Sequence, residues 1–212
     1  MKKIFFLVIL LFTMSVQVYS EGIINAPIKS IGVGDEFGCM QFGWLGISAR
    51  GIYSIPVGEM INVLNNGLGG ELVISYRSFL LKDLDIQLIG GYENYTGEVN
   101  SSDTLQTIIL KLLVRYNFYF KGTPGCLFVD LGGGVAFETL TFSSTKYDNI
   151  DPAYHIGIGY EVEIIKSLTF QLGVSYLFIP QKYIANAQRD GSFINIGLGI
   201  NYEFLKEKFG GE

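Results

Sequence analysis

The sequence is poor in several features on which other classes of protein depend. It has only two cysteines, Cys39 and Cys126, too few for the disulfide framework of a small secreted domain. With 15 basic and 20 acidic residues its net charge is −5, which argues against nucleic acid as a partner. Beyond the N-terminal residues there is no apolar run of 18 residues, so no transmembrane helix is predicted.

The first twenty residues have the features of a signal peptide. Lys2 and Lys3 precede an apolar run from Ile4 to Leu11, and the small residues Val18 and Ser20 suit the positions before a cleavage site. We predict cleavage after Ser20. A retained anchor is the alternative, but the run is too short to cross a bilayer as a helix. Without the two lysines, 13 basic residues remain against 20 acidic ones, a net charge of −7.

The rest of the chain is unusually apolar for an exported protein. Hydrophobic residues make up 49% of the sequence, and there are 27 glycines, 16 phenylalanines and 13 tyrosines. The mean hydropathy is +0.34. Without helical spans, so many apolar groups have to be buried or exposed to lipid in another way, and a β-barrel is the simplest solution.

The clearest pattern lies between Phe193 and Phe204, where every second residue is large and apolar. The residues between them are small or polar. Strict period-two alternation indicates a β-strand with two opposite faces, because a helix would scatter the apolar set around its axis. A tilted strand needs about 9–11 residues to cross a bilayer. The apolar positions are Ile194, Ile196, Leu198, Ile200, Tyr202 and Phe204.

The same pattern recurs often enough to predict eight strands within residues 37–204. Residues 21–36 are predicted to form an N-terminal lead-in and residues 205–212 a periplasmic tail. The first strand needs a bulge near Gly43 and Trp44, because its alternation changes phase there. The strands are predicted at about 37–51, 71–80, 84–95, 105–120, 126–139, 153–165, 168–179 and 193–204.

The predicted connections alternate between short and long. They are short after the second, fourth and sixth strands, as at Lys166-Ser167. Short turns at one rim and long loops at the other are typical of an outer-membrane barrel, with both termini on the periplasmic side. The long loops are predicted at about 52–70, 96–104, 140–152 and 180–192.

Alternation alone does not say which face points outward, since a soluble barrel would turn its apolar rows inward. Two features favour lipid on the outside. The polar rows are rich in glycine, which suits a crowded interior. The apolar rows have aromatic residues toward their ends, as in an interfacial girdle. The periplasmic set is Tyr116, Phe118, Phe120, Tyr202 and Phe204, and the outer set is Tyr92, Tyr154, Tyr176 and Phe178.

With this architecture, residues 37–204 resemble the small eight-stranded outer-membrane proteins, the group that contains the transmembrane domain of outer-membrane protein A and outer-membrane protein X. The segment from Gly199 through Tyr202 to Phe204 is similar to the C-terminal signal read by the barrel-assembly machinery, although the sequence continues to Glu212. The resemblance implies an all-β, eight-stranded, antiparallel up-and-down transmembrane barrel in the bacterial outer membrane. Its implied partners are outer-membrane lipid and, during biogenesis, the assembly machinery.

Ionisable residues on the polar rows are expected to form a charge network in the lumen. Like charges in such an interior are costly unless they are paired or hydrated, so Arg77, Lys111 and Arg115 should bridge carboxylates of neighbouring strands. The network then forms either a rigid polar plug or a narrow cation-preferring path. Its predicted members are Glu71, Arg77, Asp85, Glu93, Lys111, Arg115, Asp130, Glu138, Glu161, Glu163 and Glu203.

Other residues give little sign of chemistry. Barrel enzymes that act on lipid A use a histidine with a serine or aspartate, but no such partner of His155 is apparent, and no catalytic residue, metal or cofactor is predicted. Cys39 and Cys126 would lie on opposite sides of a barrel about 16 Å across, too far apart for a disulfide. Pro56 could begin a short amphipathic helix that rests on the membrane or caps the lumen.

The function predicted from these features is structural, or a surface interaction in which the long loops contact an extracellular ligand. The protein is predicted not to be an enzyme. The alternative is a narrow pore or a conduit for small molecules, and a lipid-modifying barrel enzyme is the third candidate.

Overall fold

A computed structural model of the chain shows a closed barrel of eight antiparallel strands, in which each strand pairs with the next and the last pairs with the first. The predicted up-and-down fold is therefore confirmed. The structure describes residues 44–77, 83–120, 123, 125–142, 145–165, 167–184 and 187–204. The predicted signal peptide, lead-in and tail, Cys39, and residues 37–43 of the predicted first strand lie outside this part.

The strands are joined by short segments, one of which contains a 3₁₀ helix at Gly58–Asn62. No helix in the described residues is long and apolar enough to span a membrane. The strands are β1 Trp44–Val57, β2 Gly67–Arg77, β3 Leu84–Thr96, β4 Thr104–Tyr119, β5 Gly125–Phe142, β6 Thr145–Ile165, β7 Leu168–Ile184 and β8 Ala187–Phe204.

The apolar rows face outward, as predicted. Leu110 and Val174 are 50% and 44% exposed, whereas Lys111 and Arg115, on the other face of β4, are 1% and 0% exposed. This reverses the arrangement of a soluble protein, in which aliphatic side chains are buried and charges are solvated. An outer surface of this kind is stable when hydrocarbon covers it, which defines the fold as a transmembrane barrel.

Outward-facing aromatic side chains pair at both ends of the strands. Toward one rim, the rings of Tyr154 and Phe178 stack across β6 and β7, with their centroids 6.3 Å apart. Toward the other, the rings of Tyr116 and Phe118 pack edge to face at 4.8 Å. Both pairs belong to the predicted girdles, and amphipathic rings in these positions suit the interface between lipid and water.

Of the four predicted long loops, the one at 96–104 agrees with the structure, because β3 ends at Thr96 and β4 begins at Thr104, but the other three are wrong for most of their length. β1 and β2 extend into the predicted loop 52–70, and β5 and β6 fill all but residues 143–144 of the loop 140–152. β7 and β8 likewise leave only residues 185–186 of the loop 180–192. The physical reason is that both faces of a strand meet water above the lipid. The period-two pattern then disappears, although the backbone remains paired.

The segment after Pro56 caps the lumen, which was one of its two predicted roles. Pro56 itself lies in β1, so the helix begins at Gly58 instead. Gly58 has a φ of 63°, a conformation that other residues rarely adopt. The helix places Met60, only 1% exposed, among the buried side chains of the barrel interior.

Proline marks the places where strands lose a neighbour. The ladder between β6 and β7 stops at the pair Tyr154–Phe178, and two further steps in the same register would place Pro152 opposite Pro180. Neither proline has an N–H group to donate to a ladder. Pro152 pairs only with β5, and Pro180 pairs only with β8. Pro56 on β1 likewise pairs with β8 and not with β2. Within the described strands, β6 and β7 are therefore not paired beyond Tyr154, which leaves a seam at the outer rim.

Replacing Pro152 and Pro180 together by threonine is expected to extend the ladder between β6 and β7. In the unmodified protein, β6 amides beyond Tyr154 that face the seam should exchange rapidly with solvent, because only the β5 side is paired. Hydrogen exchange should show these amides becoming protected in the double variant. Pro56→Thr, at the edge of β1, is the control and should leave β6 unchanged. Equal protection of all β6 amides in the unmodified protein would contradict the open seam.

Candidate functional site in the barrel interior

The predicted charge network is centred on Arg115, which is fully buried. Its Nε and Nη2 donate to both oxygens of Asp130 at 2.7 and 2.9 Å, and its Nη1 lies 3.4 Å from Glu161. Its guanidinium also stacks 3.6 Å from the ring centre of Phe128. A bidentate pair of this kind is among the stronger hydrogen-bonded contacts in proteins, so it fixes β4 against β5.

Two further cations reach across the lumen. Arg77 on β2 contacts Glu161 on β6, on the opposite wall, and lies 2.9 Å from Glu203. Lys111 on β4 lies 2.5 Å from Glu71 on β2. The predicted cations therefore do meet carboxylates, but several contacts cross the barrel instead of joining neighbouring strands. An eight-stranded barrel is narrow enough for side chains of facing walls to touch.

Two buried carboxylates accept hydrogen bonds from neutral donors. Glu93 accepts hydrogen bonds from the Tyr95 hydroxyl and from Asn195 Nδ2, the latter at 2.9 Å. Asp85 accepts one from Asn117 Nδ2 at 2.7 Å. Buried carboxylates are tolerated when such donors replace the lost water.

The interior also contains a large apolar cluster, which the sequence interpretation missed. It links the 3₁₀ helix to both halves of the barrel, and the rings of Tyr95 and Phe193 lie 4.9 Å apart within it. We call this cluster the apolar plug. Its members are Met60, Leu64, Tyr95, Leu105, Ile109, Ala136, Ala153, Leu177, Ile179 and Phe193, all at most 4% exposed.

One predicted member does not belong to the interior network. Glu163 keeps the predicted inward parity, opposite the buried Thr169, but it is exposed near the end of β6 and forms no ion pair among the described residues, so its predicted place in the network is wrong. Glu138 is buried, like the remaining predicted carboxylates apart from the partly exposed Glu203. Conversely, Arg50 was not predicted, yet it lies 3.7 Å from Glu71 and donates to Gln87. The alternation along β1 could have predicted this position, because Ile47 and Ala49 face outward and Arg50 therefore faces the lumen.

His155 lies in a small cavity between the walls. The cavity has a volume of about 40 Å³ and is also lined by Arg50, Glu71, Asp130 and Gln171. Among the described residues, Arg50 Nε, His155 Nδ1 and Gln171 Oε1 have no protein partner, and the space suits about two or three waters. His155 is 6% exposed, and the described residues contain no cluster arranged to bind a metal.

Small residues make room for the stacked ring of Phe128. A Cβ added to Gly159 would lie 2.3 Å from Phe128 Cζ, so no other residue fits there without displacing the ring.

Of the two cysteines, Cys126 lies in the described part of the chain. It is a free and buried thiol 3.8 Å from Asn117 Oδ1.

The residues of the predicted assembly signal lie on both faces of β8. Gly199 faces inward against Arg50, while Tyr202 is 55% exposed on the outer face. The rings of Tyr202 and Phe204 stack at 6.4 Å.

Barrels of known structure share this fold. Neisserial surface protein A matches with a TM-score of 0.60 at 11% identity, over 76% of this chain and 97% of its own. Ail, the attachment invasion locus protein of Yersinia pestis, matches with 0.50 at 16% identity, over 77% and 99%. A major outer membrane protein of Thermus thermophilus matches with 0.50 at 14% identity, over 76% and 99%.

These likenesses establish the fold class. The chain has the fold of the small eight-stranded outer-membrane barrels, as its resemblance to that group implied. No family model matches the sequence, and no curated protein matches it either.

Glu161→Gln should destabilise the barrel much more than Glu163→Gln. Glu161 is buried against Arg77, Arg115 and Gln171, whereas Glu163 is exposed two residues along the same strand. Glu161→Gln removes one charged partner from Arg77 and one from Arg115, which keep Glu203 and Asp130 respectively, so we expect a loss of about 2 kcal/mol. Glu163→Gln should change stability by less than about 0.5 kcal/mol. Urea unfolding of the detergent-folded protein measures both, and equal effects would contradict the assigned network.

Proposed function

We propose that the chain is a bacterial outer-membrane protein without enzymatic activity that acts through contacts at the cell surface. Export through the predicted signal peptide, residues 1–20, is part of this proposal. The filled lumen is the observation that carries it. Ion pairs occupy one level of the interior and the apolar plug another, so solutes have no open passage through the described part. The surfaces that remain for a partner are the two rims.

The outer rim is the better candidate for a contact surface. There the paired strands of the β5–β6 hairpin reach Phe142 and Thr145, well beyond the aromatic pair of Tyr154 and Phe178. Rim residues on a rigid scaffold often carry specificity. In this proposal, extended strand ends take the place of most of the predicted long loops as the surface that meets an extracellular ligand.

The two alternatives receive less support from the interior. A narrow cation-preferring path needs a continuous hydrated lumen, but side chains such as Leu177 and Phe193 are 0% and 1% exposed within it. A lipid-modifying enzyme needs catalytic groups at the lipid-facing surface. The one histidine, His155, faces inward instead and is buried in the small cavity.

The purified barrel should give no conductance steps in planar lipid bilayers, because the apolar plug excludes hydrated ions. A heat-modifiability gel of the same sample is the control for correct folding, since folded barrels resist detergent until they are heated. Reproducible cation-selective steps from a folded sample would contradict the proposal and favour the narrow pore.

We also propose that the end of β8 is recognised by the barrel-assembly machinery. The outward position of Tyr202 and its stacking on Phe204 support this role, because both rings form one surface at the end of the last strand.

Replacing Phe204 by alanine is expected to lower the amount of heat-modifiable barrel in the outer-membrane fraction several-fold. Phe118→Ala is the matched control, since Phe118 is also an outward aromatic residue near the same rim but lies on β4. The control should assemble almost normally. Equal losses for both variants would indicate a general need for rim aromatics and would contradict a specific signal.

A further inference from the structure

Among the described residues, the outer part of β6 has one edge with no neighbouring strand. Residues 145–149 pair with β5 on one side, whereas the ladder with β7 begins only at Tyr154. The free side of this segment therefore presents backbone N–H and C=O groups that another strand can pair with. Thr145, Lys146, Tyr147 and Asp148 are all exposed. A closed barrel normally abolishes such edges, so this one is a distinct surface of the molecule.

This edge lies outside the lipid. Tyr154 is 54% exposed and stacks on Phe178 in the outer aromatic set, which suits the interface. Lys146 lies eight residues before Tyr154 in β6, about 26 Å away along the strand at the usual rise per residue. The edge can therefore be reached by a partner outside the cell.

The charges on the edge discriminate between ways of pairing with a second copy. Lys146 and Asp148 flank Tyr147 and share one face of the strand. In a parallel pairing in register, each charge would lie opposite an identical charge, which is destabilising. In an antiparallel pairing centred on Tyr147, each Lys146 lies opposite Asp148 of the other copy. The complementary arrangement is therefore antiparallel.

An antiparallel pairing also fixes where the second copy is located. Two copies in one membrane are related by an axis along the membrane normal, and rotation about that axis cannot reverse the direction in which β6 crosses the membrane. A copy in an opposing membrane has the reversed direction. We propose that residues 145–149 pair antiparallel with the same residues of a second copy in a facing outer membrane. This proposal rests on the proposed surface role.

The edge is unfavourable for other strands. Pro152 interrupts hydrogen bonding at its base, and charged side chains discourage pairing with apolar strands. Such repulsive features give selectivity for a complementary partner. A ladder of five residues is weak by itself, so adhesion between two cells depends on many barrels acting together.

The proposal predicts a charge-swap pattern in cell–cell adhesion. Cells with truncated lipopolysaccharide that display the unmodified barrel should aggregate. Lys146→Asp or Asp148→Lys should each reduce aggregation at least tenfold, because each places like charges opposite one another. Mixing the two variants, labelled in different colours, should restore mixed aggregates, since both contacts are then complementary. Aggregation by either variant alone, or no recovery in the mixture, would overturn the proposal.

A matched charge change elsewhere tests whether the effect is local. Glu98→Lys alters an exposed residue between β3 and β4 and changes the net charge as much as Asp148→Lys does. Cells with Glu98→Lys should aggregate as the unmodified cells do, and they should not form mixed aggregates with Lys146→Asp cells. Either of the opposite results would show a general effect of charge and would overturn the proposed register.

A cysteine variant tests the register directly. Tyr147→Cys would place two thiols opposite each other, with Cα atoms about 4.5–5.5 Å apart, within the range of a disulfide. Aggregated cells should yield a crosslinked dimer, whereas Ile150→Cys, exposed on the same strand but away from the centre, should not. Crosslinking in dilute, separated cells would instead indicate pairing within one membrane and overturn the proposal.

The outcomes separate this proposal from the surface role on which it rests. If the barrel is heat-modifiable in the outer-membrane fraction but the cells do not aggregate, self-pairing fails while contact with another partner stands. If the barrel is absent from the outer membrane, both fail.

Discussion

The closed hydrogen-bond ladder is the constraint on which the rest of the structure depends. Hydrocarbon offers no water to an unpaired backbone group, so a sheet within the lipid cannot have an edge. Pairing of β1 with β8 over Leu45–Val57 removes that edge and completes the cylinder. Above the outer aromatic residues the constraint relaxes because water is available. Pro152 and Pro180 occur there, where each strand has lost one neighbour.

Closure with eight strands makes the interior narrow, and this determines how its charges are accommodated. Arg77 reaches the opposite wall, and Arg115 contacts Asp130, Glu161 and the ring of Phe128 within a space that Gly159 keeps clear. The side chains in the lumen therefore hold the walls of the barrel together. A protein with its interior occupied in this way interacts with its surroundings through its rims, which connects the packing of the core with the proposed surface role.

The sequence allowed the strands to be predicted where their two faces meet different media. Between the aromatic belts one face meets lipid and the other the crowded lumen, so apolar and polar residues alternate, as in the row containing Leu110 and Lys111. The pattern fails beyond the belts, where both faces of residues 145–150 meet water. The strand ends that the sequence predicts to be loops are therefore paired in the structure. The pattern also fails around Ile109. This residue faces inward, but it is apolar because it belongs to the apolar plug, so both faces of β4 are apolar at this point.

By itself, the sequence determined the strand number, the order of the strands, the direction of the apolar faces and the charged rows that enter the lumen. These follow from local periodicity and from the short turns between apolar rows, which are properties of neighbouring residues along the chain. Only the tertiary structure decided that Arg50 joins the network, that Glu163 stays outside it, and that Arg77 reaches Glu161 across the barrel. Such contacts depend on strand register and barrel diameter, which arise when the cylinder closes and are not encoded in any single segment.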